Sequence, residues 1–341
     1  MDYKSLEHIT LNQNTYSKKE ILELELKEEN HFKEVVNFLK EWFSNSTGIT
    51  VQTSGSTGKP KQIAIPKQSF VESACNTCEF LSLDKNTSAL LCIPVKYIGG
   101  KMMVIRALTS GYNLWIEDPK SSPLKNFKHT VDFLAITPMQ AQQILVDSPK
   151  ELEQIHQVII GGGAVTQSFI NEIKKFKNNF YSTYGMTETV SHIALKRLNG
   201  SQLSDSFEVL PFYSVSLNDE NCLVIDCPSL TSETIVTNDI AELTNKGFKW
   251  LGRKDNVINS GGIKISPEAI EEKIKAKYPD LVFYITSKKD EKLGEKVVLV
   301  TEKEIEIDFK NLDLEKYEVP KEIIFKPISR TETGKIKREK F

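Results

Sequence analysis

The nine residues Thr53-Ser54-Gly55-Ser56-Thr57-Gly58-Lys59-Pro60-Lys61 crowd hydroxyls, two glycines and two lysines together, directly after the β-prone run Ile49-Thr50-Val51. That composition suits a polyphosphate. Glycine lets the backbone approach an anion, amides and hydroxyls donate to its oxygens, and lysines offset its charge. The spacing differs from a Walker A loop, which places four residues between its glycines and Ser or Thr after its Lys. Here two residues separate Gly55 from Gly58, and Pro60 follows Lys59. Taken alone, the same residues also suit a plain surface turn.

Further segments bear on the choice. Val158-Ile159-Ile160 runs into Gly161-Gly162-Gly163-Ala164, where bare backbone would let a flat ring or a substrate chain lie close. A tight strand-to-helix turn is the alternative. Tyr184-Gly185-Met186-Thr187-Glu188-Thr189 sets an aromatic face, a turn, a hydroxyl and a carboxylate in order. Tyr184 suits stacking on a base, Thr187 a phosphate oxygen, and Glu188 a magnesium ion, which takes oxygen ligands. A glutamate in a turn is equally a solvated surface residue. Asp239 follows a β-like run, where a short carboxylate either takes both hydroxyls of a ribose or caps a turn. Gly252-Arg253-Lys254-Asp255-Asn256 and Ser260-Gly261-Gly262 come next. Thr333-Gly334-Lys335-Ile336-Lys337-Arg338 sets a Gly-Lys turn into what would otherwise be a solvated basic tail.

Positioning these groups falls to alternating helices and apolar strands. Phe32, Val35, Val36, Leu39 and Phe43 recur at helical spacing, which predicts a helix over 31–43. A strand is expected over 49–52, a helix over 69–80, a buried strand over 89–93, and a helix over 102–110 ending near Gly111. Strands are expected over 133–136, 158–160 and 180–183, each followed by a turn and a helix or loop. This alternation predicts an α/β domain with ligands at the strand ends. From Val209 to Trp250 short β-like runs alternate with Asn, Asp and Gly turns. After Gly252 a smaller unit follows, with a helix over 267–277 and strands over 282–286 and 296–301.

With 341 residues, 39% of them hydrophobic, the chain is long enough for a sizeable core and two domains. Forty-four basic against forty-six acidic residues leave a net charge of −2, which argues against nucleic acid as a partner. No signal pattern opens the chain and no apolar run approaches a membrane span, so a cytoplasmic location is expected. Cys75 and Cys78 form a CxxC, yet no second pair or His cluster completes a zinc site. Ordinary thiols in a reducing compartment are the expectation.

In this order, the segments from Thr53 to the C-terminus resemble the acyl-adenylate-forming superfamily of acyl-CoA synthetases, adenylation domains and luciferases. The resemblance implies an α/β fold with a large ATP- and acyl-binding domain, 1–251, and a small mobile α+β domain, 252–341. It also implies ATP, magnesium and coenzyme A. By the same resemblance, Thr53, Ser54, Gly55, Ser56, Thr57, Gly58, Lys59 and Lys61 form the phosphate loop. Gly161, Gly162, Gly163 and Ala164 with Tyr184 form the adenine clamp, and Gly185 and Met186 also bind the nucleotide. Thr187 and Glu188 take the phosphate and magnesium roles, and Asp239 and Arg253 the ribose contacts. Asp255 falls on the hinge, Gly262 on the pantetheine channel, and Lys335 on the catalytic lysine.

Only about fifty residues precede the phosphate loop, so a reduced first subdomain is expected. Where relatives read Pro-Leu-Phe-His, the chain reads Ile93-Pro94-Val95-Lys96-Tyr97. A chain of this form resembles the compact 2-succinylbenzoate–CoA ligases of menaquinone biosynthesis. Their acid carries two carboxylates, and Lys96, Tyr97 and His192 are candidates to face the one that is not activated. A ligase for another aryl or fatty acid, loading coenzyme A or a carrier protein, is a second expectation. A nucleotide binder without catalysis is a third. Small molecules are the expected partners, with a homo-oligomer left open.

Overall fold

The computed structural model describes residues 1–52, 62–228, 234–331 and 336–341. The chain opens with the antiparallel pair β1 (His8–Leu11) and β2 (Asn14–Ser17), then α1 (Lys18–Glu23) and α2 (His31–Phe43). Strands β3 (Gly48–Gln52) and β4 (Gln62–Pro66) make a separate two-stranded ladder whose last pair is Gln52 opposite Gln62. The phosphate-loop residues Thr53–Lys61 lie outside the described residues. Next come α3 (Lys67–Leu81), β5 (Ser88–Leu91), α4 (Ile98–Ser110) and β6 (Asn113–Ile116).

The run continues with β7 (Phe133–Ile136), α5 (Pro138–Asp147), α6 (Pro149–Glu153), β8 (Gln157–Ile160), α7 (Gln167–Ile173) and β9 (Asn179–Gly185). Strands β5, β7 and β8 are apolar and almost wholly buried, because helices cover both faces of a parallel sheet. Strands β9, β8, β7, β5, β6 and β1 lie side by side in parallel. Beyond β9 the sheet turns antiparallel through β10 (His192–Arg197), β11 (Phe207–Val209), β12 (Ser214–Leu217), β13 (Cys222–Asp226), β14 (Ile235–Thr244) and β15 (Gly247–Arg253). The complete order is β12-β13-β14-β15-β11-β10-β9-β8-β7-β5-β6-β1-β2.

A second sheet follows, built from β16 (Ile258–Ser260), β17 (Ile263–Ile265), β18 (Phe283–Asp290), β19 (Gly294–Thr301) and β20 (Glu322–Phe325). Helix α8 (Pro267–Lys277) packs on it through Ile270 and Ile274, which join Phe283, Ile285, Val297 and Leu299 in a core of their own. The α/β class expected from the alternation is the one observed.

Helix α4 begins at Ile98, four residues before the start that the sequence predicts. Gly99 and Gly100 lie in its first turn, and a Cβ on Gly100 would lie 2.4 Å from the Pro94 carbonyl oxygen. The glycine is there for close approach of the helix to the strand-end loop. Cys75 and Cys78 sit on α3 as free thiols, and burial pushes the Cys78 thiol up to about 11. Among the described residues no helix is long and apolar enough to cross a membrane.

Candidate active site at the strand ends

In a parallel sheet the ligand crevice lies beyond the carboxyl ends of the strands, where strand order reverses. Here it reverses between β5, which leads outward to β6, and β7, which leads to β8 and β9. Lys96 and Tyr97 follow β5, Gly161–Ala164 follow β8, and Tyr184-Gly185 close β9 with Met186–Thr189 beyond. The topology therefore collects these sequence-predicted residues at one end of the sheet. The Gly161 amide donates to the Ile136 carbonyl at 3.0 Å, and a Cβ there would sit 2.8 Å from Thr183 Oγ1. Gly162 adopts φ +85°, with open space where its Cβ would be, and Gly162, Gly163 and Ala164 are exposed. Lys96 lies over the Tyr97 ring at 4.8 Å.

Asp239 is the centre of a second constellation. It is the cross-strand partner of Arg253 in the β14–β15 ladder and only 7% exposed. The Tyr184 hydroxyl donates to Asp239 Oδ2 at 2.6 Å, and Trp250 Nε1 donates to Oδ1 at 3.1 Å. Arg253 Nη1 stands 3.8 Å from Oδ1, while its Nη2 donates to Asp255 Oδ2 at 2.7 Å. Asn238 Nδ2 also donates to Asp255, at 3.1 Å. Burial, then the negative charge of Asp239, holds the Tyr184 hydroxyl far above the usual tyrosine range. An ionised carboxylate has about four lone-pair sites, so Asp239 keeps acceptor capacity for further hydroxyls. Trp250 was not among the sequence candidates; its position on the strand of Arg253, beside Asp239, was the available signal.

Between β9 and β10 the backbone makes a short turn that shows Glu188 to solvent and half-buries Thr187. Thr189 is fully buried and laces the turn together. Its Oγ1 accepts from the Met186 amide at 3.0 Å and donates to the Ser191 carbonyl at 2.7 Å. Val190 sits at φ +64°, an outlier for a β-branched residue. At the base of the turn, a Cβ on Gly185 would fall 2.3 Å from the Ser191 oxygen and 2.5 Å from His192 Cα. Only glycine allows the two strands to close there.

Beneath this turn lies Arg106 of α4, which the sequence analysis passed over. It is 2% exposed and forms no ion pair with a carboxylate among the described residues. Its Nη2 donates to Ser191 Oγ at 3.1 Å, Nη1 reaches Met103 Sδ at 3.9 Å, and Nε has no partner among the described residues. The buried hydroxyls of Tyr112 and Tyr213 lie in its field. His192 is buried beside it, with Nε2 3.0 Å from Thr77 Oγ1. Burial, and then the guanidinium charge, holds the His192 imidazole well below its ordinary range, so the ring is neutral. The signal for Arg106 was its helix. Met102, Met103, Val104, Ile105, Ala107 and Leu108 are apolar on every side, and a charge inside such a helix is buried with it.

The family model for AMP-binding enzymes matches residues 6–227, about two thirds of the chain. The chain belongs to the AMP-binding enzyme family. It is a ligase of that family. An acyl-CoA synthetase (AMP-forming)/AMP-acid ligase II-like protein from Dyadobacter fermentans shares 34% identity over 94% of this chain and 96% of its own, with a TM-score of 0.67. The 2-succinylbenzoate–CoA ligase of Listeria monocytogenes is 26% identical over 333 residues, spanning 89% of this chain and 71% of that one. An o-succinylbenzoate coenzyme A synthetase from Bacillus subtilis, solved with ATP and magnesium ion, shares the fold at a TM-score of 0.71 and 18% identity, over 88% of this chain and 74% of its own.

Lys335 lies outside the described residues. Of the residues flanking it, Arg330 and Ile336 form a β-bridge. Arg338 donates to Glu271 Oε2 at 2.9 Å and to the Ile285 carbonyl at 2.9 Å. A tail read from sequence as basic and solvated is therefore fastened to α8 and β18 at this arginine. Asp255 is exposed on the link between the two sheets, and Gly262 adopts φ +82° in the β16–β17 turn.

Proposed function

We propose that the protein adenylates a dicarboxylic acid, 2-succinylbenzoate, with ATP and passes the acyl group to coenzyme A, in the cytoplasmic route to menaquinone. A carboxylate oxygen attacks the α-phosphorus and pyrophosphate leaves. The CoA sulfur then attacks the acyl carbon of the mixed anhydride and AMP leaves. The curated relatives named above support the assignment, and Arg106 carries it. A buried cation without a counter-ion costs several kcal/mol, and a substrate carboxylate that is not being activated would satisfy it. His192, neutral and adjacent, offers a hydrogen bond; Lys96 and Tyr97 follow β5 at the same end of the sheet.

The remaining roles are assigned by position. Gly161–Ala164 with Tyr184 clamp the adenine, Gly185 and Met186 also contact the nucleotide, and Asp239 with Arg253 takes the ribose hydroxyls. Thr53–Lys61 and Thr187 take the phosphates. Magnesium uses few protein ligands besides phosphate oxygens and water, so the single exposed carboxylate of Glu188 fits it. When bound, the ion neutralises charge on the leaving pyrophosphate. Lys335 meets the charge that develops at the α-phosphate. Residues 1–251 form the nucleotide- and acid-binding domain, and 252–341 turn about Asp255 so that Gly261-Gly262 flank the incoming thiol.

The test is pyrophosphate release with Mg-ATP and coenzyme A on 2-succinylbenzoate, benzoate and a medium-chain fatty acid. Turnover confined to 2-succinylbenzoate is expected, and Lys335→Ala should lower it by about 10²–10³. Turnover of another acid alone rejects the substrate. Undiminished adenylation by the Lys335→Ala protein rejects the role of the lysine.

A further inference from the structure

The acid side and the nucleotide side of the crevice share one piece of backbone. Ser191 Oγ accepts from Arg106 Nη2 at 3.1 Å, and the Ser191 carbonyl accepts from Thr189 Oγ1 at 2.7 Å. That same hydroxyl accepts from the Met186 amide at 3.0 Å, spanning the turn that displays Thr187 and Glu188. The turn has little freedom of its own. Gly185 closes its base against Ser191 and His192, and Val190 holds a left-handed conformation that only the surrounding contacts maintain. A change in how Arg106 is engaged would therefore pass through these three hydrogen bonds to the turn that displays Thr187 and Glu188.

We propose that Ser191 is a positioning residue that makes adenylation depend on the second carboxylate. Binding of that carboxylate to Arg106 sets the guanidinium. Through Ser191 and Thr189 the guanidinium then sets the turn bearing Thr187 and Glu188. An acid lacking the second carboxylate is then slow as well as weakly bound, which is discrimination by induced alignment. The proposal rests on the assignment of Arg106 to that carboxylate.

The experiment compares wild type, Ser191→Ala and Ser191→Thr in single-turnover adenylation. The acids are 2-succinylbenzoate and its two single-carboxylate analogues, 4-oxo-4-phenylbutanoate and 2-butanoylbenzoate. In the wild type, the analogue that keeps the activated carboxylate should react at least 10-fold more slowly at saturation. Ser191→Ala should bring the diacid rate down to the analogue rate with KM changed less than 3-fold, and Ser191→Thr should restore most of the difference. A Ser191→Ala protein that raises KM alone, or keeps the full rate ratio, overturns the proposal. So does failure of a folded Ser191→Thr protein to recover the ratio. If the wild type turns over none of the three, the substrate assignment has failed, and the tie is judged without acid. Ser191→Ala must then raise the Mg²⁺ half-saturation of ATP binding at least 3-fold; an unchanged value overturns it.

Discussion

Replacing Arg106 by Met should make the protein more stable and less useful. Met keeps the length and apolar stem of the side chain while removing a charge that is 2% exposed and unpaired among the described residues. The charge costs several kcal/mol to bury. Against this, Met forfeits the hydrogen bond to Ser191, worth about 1.5–3 kcal/mol for a charged donor. The balance is a gain of about 1–3 kcal/mol, and at about 2 °C per kcal/mol for a chain of this size the melting temperature rises by about 2–6 °C. Removing one partner of a buried charge pair costs about 2–5 kcal/mol in the complex. At 1.4 kcal/mol per decade, kcat/KM for 2-succinylbenzoate should fall by roughly 30- to 4000-fold. Thermal unfolding followed by circular dichroism, beside pyrophosphate release, reads both quantities. A variant that melts below the wild type and still turns over the diacid would refute the reasoning, because Arg106 would then be an ordinary packing group.

Gly185→Ala should lower activity at least 100-fold and stability by about 1–3 kcal/mol, because the added methyl meets backbone at 2.3 Å; urea unfolding and turnover check it. Gly161→Ala meets only the rotatable Thr183 hydroxyl, so it should melt within about 1 °C of wild type, while calorimetry shows weaker ATP binding. His192 is held neutral when folded, with its pKa depressed, and the unfolded imidazole protonates near pH 6.5. Its contribution is thus present above that pH and lost below it, with a slope of at most about 1.4 kcal/mol per pH unit. His192→Asn should flatten the fall in melting temperature between pH 6.5 and 5. Asp239→Asn should weaken ATP binding about 10- to 100-fold by disturbing hydrogen bonds to a charged acceptor. The same variant should let Tyr184 ionise at lower pH, seen in the absorbance difference from Tyr184→Phe near 295 nm.

The strands over 133–136 and 158–160 were legible because burial on both faces leaves nothing but apolar residues. The hairpin of β1 and β2 was not, because its turn places Asn12 and Gln13 at positive φ where glycine is the usual marker. Strand β10 begins at His192, directly after a turn rich in hydroxyls, so its period was hidden. The strand-end residues Gly161 and Tyr184 stood out by type, whereas Ser191 and Thr189 act through hydrogen bonds across the turn. Spacing along a chain carries no trace of such bonds. Arg106 was visible in sequence only as one letter inside a helix; its meaning came from what does not surround it.

The mooring of the C-terminal segment has a kinetic side. Arg330 and Ile336 are bridged, and Arg338 is bound to Glu271 on α8 and to the Ile285 carbonyl, so described residues on both sides of position 335 are held against their neighbours. A side chain on its own samples rotamers in nanoseconds, but one delivered by a packed body arrives at the pace of that body, in microseconds to milliseconds. On the role proposed for Lys335, the charge would arrive at the pace of the whole C-terminal unit. On that proposal, loosening Arg338 would change when the charge arrives without changing the charge.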